Sequence, residues 1–182
     1  GQEPMLVKRV QSLLMTPTLR IYASTDMVGV QLGGALKNVI AIAAGVVDGL
    51  QLGQDARAAL VTRGLAEMVR LGVAMKADPR TFYGLSGLDD LILTCTGAAS
   101  RNYAVGVKLA KGDTLEELLK DTRTVAEGIR TSRAALGLAQ KYKVDMPIVQ
   151  TVAALLAGEI GAREAVARLL ARPLRAEAGR PQ

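Results

Sequence analysis

With 182 residues, the chain is long enough for one domain with a sizeable core, and 49% of it is hydrophobic. Aromatic residues make up only 3% and tryptophan is absent, so the interior must be built from Ala, Leu, Val, Ile and Met, a palette that favours close-packed helices over a sheet. There is no histidine and a single cysteine, which excludes a histidine-based zinc site, a histidine triad and an internal disulfide; the net charge of +6 is dispersed among acidic residues, without the dense basic block and stacking aromatics that nucleic acid requires.

Residues 3–14 carry apolar positions at Met5, Leu6, Val10 and Leu13, which predicts a short helix. Glu3, Lys8 and Arg9 break its apolar stretches, so it does not read as a secretory leader, and the cysteine usage points to a reducing, cytoplasmic setting. Thr16-Pro17 ends the helix, and residues 19–22 (Leu-Arg-Ile-Tyr) read as a short strand. A lone strand leaves its backbone donors and acceptors without a ladder, so it is expected to be the last strand of a sheet that lies elsewhere.

From residue 27 to 47 the only charge is Lys37. About twenty residues suffice to cross a bilayer, but Gln31, Lys37 and Asn38 sit near the middle and several glycines loosen the run. A helix buried inside a soluble domain, over residues 29–48, is the expectation, without membrane insertion. A second helix is predicted over 55–75, with Arg57, Arg63 and Arg70 leaving other faces to Leu60, Leu65, Met68 and Val69. Asp78-Pro79 has the form of a cap with proline at the first helical position. Ser86, with Asp89 three residues on, resembles a capping box that opens a helix through Leu93. Ser100 caps the next helix and Gly112 ends it. Further helices are predicted over 114–120, 125–142, 148–157 and 162–171, followed by a polar tail at 173–182.

Lys37 is the strongest local clue to chemistry. An ammonium removed from water needs a carboxylate, an anionic ligand or a lowered pKa. Such a lysine can exchange protons with a substrate, or it can be a core lysine whose head reaches the surface; spacing leaves both open. Asn38 can donate to a substrate oxygen or bond to nearby backbone. Asp90 and Thr94 lie four apart, hence on one helix face, where the carboxylate can orient Lys37; Asp89 is read as charge favourable to a helix N-terminus. Ser100, Arg101 and Asn102 open a helix, an end that suits a phosphate, with Arg101 adding a planar charged fork. Cys95 reads as a small buried residue, because no histidine exists to activate it, and Glu127-Gly128 as a helix cap.

Together, the strings GVQLGGALKNVIAIAAGVVDGL, TRGLAEMVRLG, GLSGLDDLILTCTG, SRNYAVGVKLAKG and VAEGIRT, in this order and spacing, closely resemble the C-terminal domain of bacterial NAD(P)-dependent glycerol-3-phosphate dehydrogenase. The resemblance runs over residues 19–172. It implies an all-α, multi-helix fold similar to the 6-phosphogluconate dehydrogenase-like helical domain, preceded by a remnant strand. It divides the chain into residues 1–25, the end of a dinucleotide-binding domain; 26–172, the helical substrate-binding domain; and the polar tail. It makes Lys37 the catalytic lysine that exchanges the proton on the substrate's C2 oxygen, and it sets Asn38, Asp90 and Thr94 along the polyol or carbonyl end. Ser100, Arg101 and Asn102 fall on the phosphate positions, and Arg101, Val125 and Glu127 on cofactor contacts. The implied ligands are NAD(P)H, bound mainly by the other domain, and dihydroxyacetone phosphate or glycerol 3-phosphate, in a pathway of glycerophospholipid synthesis.

The strand, G-x-G-x-x-G turn and helix of a dinucleotide fold are absent from the sequence. The resemblance therefore implies a fragment that is inactive alone, and the surface left by the other domain is open to homodimer formation. Two alternatives are the helical domain of a related β-hydroxyacid or polyol dehydrogenase, and a noncatalytic helical dimerisation or binding module. The phosphate-ready start at Ser100 speaks against the first.

Overall fold

The computed structural model describes residues 1, 3–97, 99–120 and 126–173. The predicted central helix forms as α2, Met27–Gly49, and it organises the others. From Asn38 to Val47 every residue is buried, so this stretch has no solvent face and must be enclosed by other helices. Length and apolarity would let α2 cross a membrane, but 72% of its most apolar window is covered by the protein itself.

The enclosing elements follow in chain order. A first helix, α1, spans Pro4–Leu14; after α2 come α3, Gln54–Ala74, a 3-10 turn at Pro79–Tyr83 and a π-helical turn at Leu85–Asp89. Then come α4 (Asp90–Thr96), α5 (Arg101–Lys111), α6 (Leu115–Lys120), α7 (Glu127–Tyr142), α8 (Pro147–Leu156) and α9 (Ala162–Leu170). Helices α3, α4, α5, α7 and α8 all pack on α2, and α5 does so most extensively. That contact depends on paired glycines. A Cβ on Gly45 would lie 2.0 Å from the Tyr103 carbonyl oxygen, and one on Gly106 would lie 2.0 Å from that of Ile42. Both backbones occupy the space that a side chain would need.

Two local expectations change. Among the described residues there is no strand at 19–22; Thr16 and Leu19 instead close a tight isolated bridge, their amides donating to each other's carbonyls at 3.1 and 3.2 Å. The segment has no neighbouring strand to pair with, so it is tied down by side chains: Gln11 Nε2 donates to the Ile21 carbonyl at 2.6 Å. Nor does Ser86 cap a helix. It lies inside the π turn, whose preceding residue is Gly84, and α4 begins only at Asp90. The wider turn is imposed by packing, because the Ser86 carbonyl oxygen sits against Gly33 of α2, 2.1 Å from where a Cβ would be.

Glu67 was not anticipated. It faces the core from α3, 1% exposed, and its carboxylate accepts from the Ile148 and Val149 amides at 2.7 and 3.2 Å. Met146, which precedes α8, supplies no side-chain cap, so a carboxylate from another helix does this instead. Nearby, the Arg70 guanidinium donates to the Asp145 carbonyl at 3.0 Å. Desolvation pushes Glu67 up to about 7, against the lowering influence of the two amides and of Arg70.

Two expected outcomes follow from this packing. Gly106→Ala should destabilise the domain by roughly 3 kcal/mol, read as a lower denaturant midpoint, since neither backbone can yield; an unchanged midpoint would contradict the close approach. For Glu67 the folded pKa lies above the unfolded one. The folded state therefore holds the extra proton between pH 4.5 and about 7, and stability falls as pH rises through that window, by up to about 3 kcal/mol from this group. Glu67→Gln should flatten the slope; denaturation curves at both ends of the window that keep the wild-type difference would refute this.

Candidate functional site

Where α2 emerges from its fully buried stretch, Lys37 and Asn38 leave it in different directions. Lys37 Nζ donates to Asp90 Oδ1 at 2.6 Å and lies 2.5 Å from Oδ2. Asp90 is the first residue of α4, directly after the π turn, so the contact of that turn with Gly33 sets where the carboxylate meets the lysine. Thr94 Oγ1 donates to the Asp90 carbonyl at 2.6 Å, a bond within one helical turn that leaves its lone pairs for another donor. The side chains of Lys37 and Asp90 are 21% and 31% exposed. An ion pair this accessible contributes about 1 kcal/mol or less to stability. Its close geometry therefore matters chiefly for holding the ammonium at a surface that other molecules can reach.

Asn38 turns inward. It is buried, and its Nδ2 donates to the Gly34 carbonyl and to Glu127 Oε2, both at 3.3 Å. Its Oδ1 accepts from Asn102 Nδ2 at 2.9 Å, and Asn102 Oδ1 accepts from the Gly128 amide at 2.8 Å. Ser100 caps α5 as predicted, Oγ accepting from the Tyr103 amide at 3.3 Å. Arg101, in the first turn, is exposed and makes no ion pair among the described residues.

The structure thus brings Lys37, Asp90 and Thr94 into one group and Asn38, Asn102 and Glu127 into a second. Adjacency of Lys37 and Asn38 joins the groups, and α5 places Ser100 and Arg101 beside Asn102. Val125 lies outside the described residues. Sequence reasoning missed the role of Gly128, whose amide enters the second group, and of Asp26, which anchors the start of α2. Asp26 accepts from the Gly29 and Asp78 amides, both at 2.9 Å, and from Thr81 Oγ1 at 2.7 Å. Desolvation raises its pKa, but these bonds outweigh that and hold the group below its ordinary value. Its position immediately before the apolar run is the one sequence signal that marks it. Cys95 is buried as expected, and desolvation pushes its thiol up to about 12, which leaves it unreactive.

Fold and side chains define an all-helical domain in which a lysine of the central helix is held by a carboxylate and its neighbour Asn38 is bonded to the first turn of α5. Comparison with known proteins makes the class specific. Residues 26–167 match the family described as NAD-dependent glycerol-3-phosphate dehydrogenase C-terminus, and the chain belongs to that family. It is 54% identical over 172 residues to the glycerol-3-phosphate dehydrogenase (NAD(P)+) of Citrifermentans bemidjiense, covering 94% of this chain and 51% of that protein. Against the enzyme of the same description from Geobacter sulfurreducens the identity is 53%, over 96% of this chain and 52% of the relative. Among solved structures, glycerol-3-phosphate dehydrogenase from Coxiella burnetii superposes with a TM-score of 0.89 at 39% identity, covering 93% of this chain and 52% of that one. The chain therefore spans about half the length of the curated relatives it matches.

Because the Lys37–Asp90 pair is accessible, Asp90→Asn should change the unfolding free energy by about 1 kcal/mol or less. A loss of several kcal/mol in chemical denaturation would make the pair a structural element instead.

Proposed function

We propose that this chain is the substrate-binding half of a cytoplasmic glycerol-3-phosphate dehydrogenase that reduces dihydroxyacetone phosphate to sn-glycerol 3-phosphate, feeding glycerophospholipid synthesis. One observation carries the reading. The ammonium of Lys37 is held by Asp90, and its neighbour Asn38 bonds to Asn102, which directly follows the exposed Arg101 at the start of α5. A ketone that carries a phosphate needs both a proton donor at its carbonyl oxygen and a cation for its anionic end.

Hydride addition turns the C2 carbonyl into an alkoxide. Lys37 hydrogen-bonds to that oxygen, stabilises the charge as it grows, and passes over its proton; in the oxidative direction it takes the proton back. Asp90 restricts where the lysine points, and Thr94 Oγ1, with lone pairs unspent, accepts from a substrate hydroxyl. Ser100, Arg101 and Asn102 hold the phosphate end, the guanidinium supplying the bidentate contact. Fixing the substrate at both ends sets the reacting carbon in place.

The nicotinamide nucleotide supplies the hydride when bound. The exposed side chains of Arg101 and Glu127 fit one edge of such a ligand, with Val125 the further contact that the resemblance implies, whereas the glycine-rich phosphate turn is absent from this sequence. A second half must provide it. Helix α1 supports this: none of its residues is buried, and Met5 and Leu13 are 81% and 74% exposed. Residues 1–25 then belong to the end of the nucleotide-binding domain, against which the apolar stripe of α1 packs.

The chain by itself should consume no reduced nicotinamide nucleotide with dihydroxyacetone phosphate, and should do so when joined to a nucleotide-binding half. In the joined protein, Lys37→Ala should lower kcat about 10²–10⁴-fold with KM little changed. Steady-state rates close to wild type would rule out the proton-transfer role.

A further inference from the structure

Helix α2 contains five glycines, and neighbours fill the space in front of four of them. A Cβ would fall 2.1 Å from Asp26 Oδ2 at Gly29 and 2.1 Å from the Ser86 carbonyl oxygen at Gly33. At Gly45 it would fall 2.0 Å from the Tyr103 carbonyl oxygen, and at Gly49 2.6 Å from Ala110 Cβ. Gly34 is the exception. No described atom lies within 4 Å of where its Cβ would be, and its φ is not in the left-handed region. Neither packing nor backbone conformation calls for glycine there, and inside a helix glycine is less stable than alanine.

Its place on α2 supplies a reason. Gly34 precedes Lys37 by three residues and Asn38 by four, so it lies one turn away, on the strip of the helix between them. Its carbonyl accepts from Asn38 Nδ2 at 3.3 Å, and the same Nδ2 donates to Glu127 Oε2 at 3.3 Å. Two acceptors that share one nitrogen are neighbours, so the half-buried backbone of Gly34 adjoins the exposed Glu127. The open surface of this glycine therefore stands next to the residue set against the nicotinamide nucleotide and one turn from the lysine set against the C2 oxygen. A ring that gives a hydride to C2 has to come close to both.

We infer that Gly34 is a contact residue for the cofactor: its bare backbone receives the flat face of the nicotinamide ring, and a methyl group there would stand in the ring's way. This rests on the proposed dehydrogenase function. The substrate has its own anchors at Asp90, Thr94 and the start of α5, so Gly34 serves the ring and leaves the phosphate end untouched.

Gly34→Ala adds one methyl group at an open position. Gly137→Ala does the same in α7, where a Cβ also meets no described atom within 4 Å, and serves as the control. In the full-length protein with its nucleotide-binding half, neither substitution should lower the denaturant midpoint. Gly34→Ala should raise the Kd of the reduced nicotinamide nucleotide about tenfold in a fluorescence titration, the usual scale for a methyl group forced into a close contact. ADP-ribose, which lacks the nicotinamide, should bind within about twofold of wild type by calorimetry, and KM for dihydroxyacetone phosphate should also stay within about twofold. Gly137→Ala should match the wild type with every ligand. An unchanged Kd for the reduced nucleotide in Gly34→Ala, an equal loss of ADP-ribose, or a loss confined to the substrate KM would overturn the inference. So would a lower midpoint, because the position would then not be open. A wild-type protein without activity on dihydroxyacetone phosphate would sink the proposed function itself. An active wild type whose Gly34→Ala variant shows no loss specific to the nicotinamide sinks only the role of Gly34.

Discussion

Burying a helix on every side is the constraint from which the rest of this domain follows. The stretch from Asn38 to Val47 in α2 has no face left for water, so neighbouring helices must approach it from all directions. Where the approach is closest, side chains are excluded altogether, and Gly45 and Gly106 let α2 and α5 meet backbone to backbone. That contact fixes the direction of α5, and therefore where its first turn, with Ser100, Arg101 and Asn102, stands relative to Lys37. The site lies where the enclosure ends. Deeper in α2 a lysine would be cut off from water, and nearer the helix start it would have less covering structure to hold it.

Carboxylates in this fold divide by what surrounds them. Glu67 is buried against the start of α8 with two backbone amides, and desolvation dominates, pushing it up to about 7. Asp26 caps α2 at a more open place, where its three hydrogen bonds prevail over desolvation and hold its pKa down. Asp48 accepts from both Arg57 and the Tyr103 hydroxyl, linking the end of α2 to α3 and α5. Asp90, half-exposed, holds the one lysine of the central helix. The first three fasten helix ends to their neighbours; the fourth holds the ammonium of Lys37.

Glycine has two jobs here that sequence reading does not separate. Gly112 ends α5 in the left-handed region at φ 105°, as its place after the last apolar position suggested. Gly33, in contrast, is an ordinary helical residue, present because the Ser86 carbonyl oxygen needs its space. The π turn that results displaces the start of α4 from Ser86 to Asp90. A serine followed three residues on by an aspartate looked like a capping box, and the local pattern lost to packing against a helix more than fifty positions earlier.

The sequence by itself determined the helical class, because a chain with only 3% aromatics had to pack its core mainly from aliphatic side chains with helical periodicity. It determined the span of α2 and the caps at Ser100 and Gly112, which depend on residues within one turn of each other. It also marked Lys37, whose isolation among apolar residues is visible without any coordinates. The pairing of Lys37 with Asp90 entered the sequence reading only as an expectation, since the two lie 53 positions apart and local spacing does not bring them together. Glu67 under α8 and the bonds linking Asn38, Asn102 and Gly128 were not legible at all. Hydrogen bonds between helices are set by crossing geometry, which is decided by close packing over the whole domain and leaves no signature in the residues on either side of each partner.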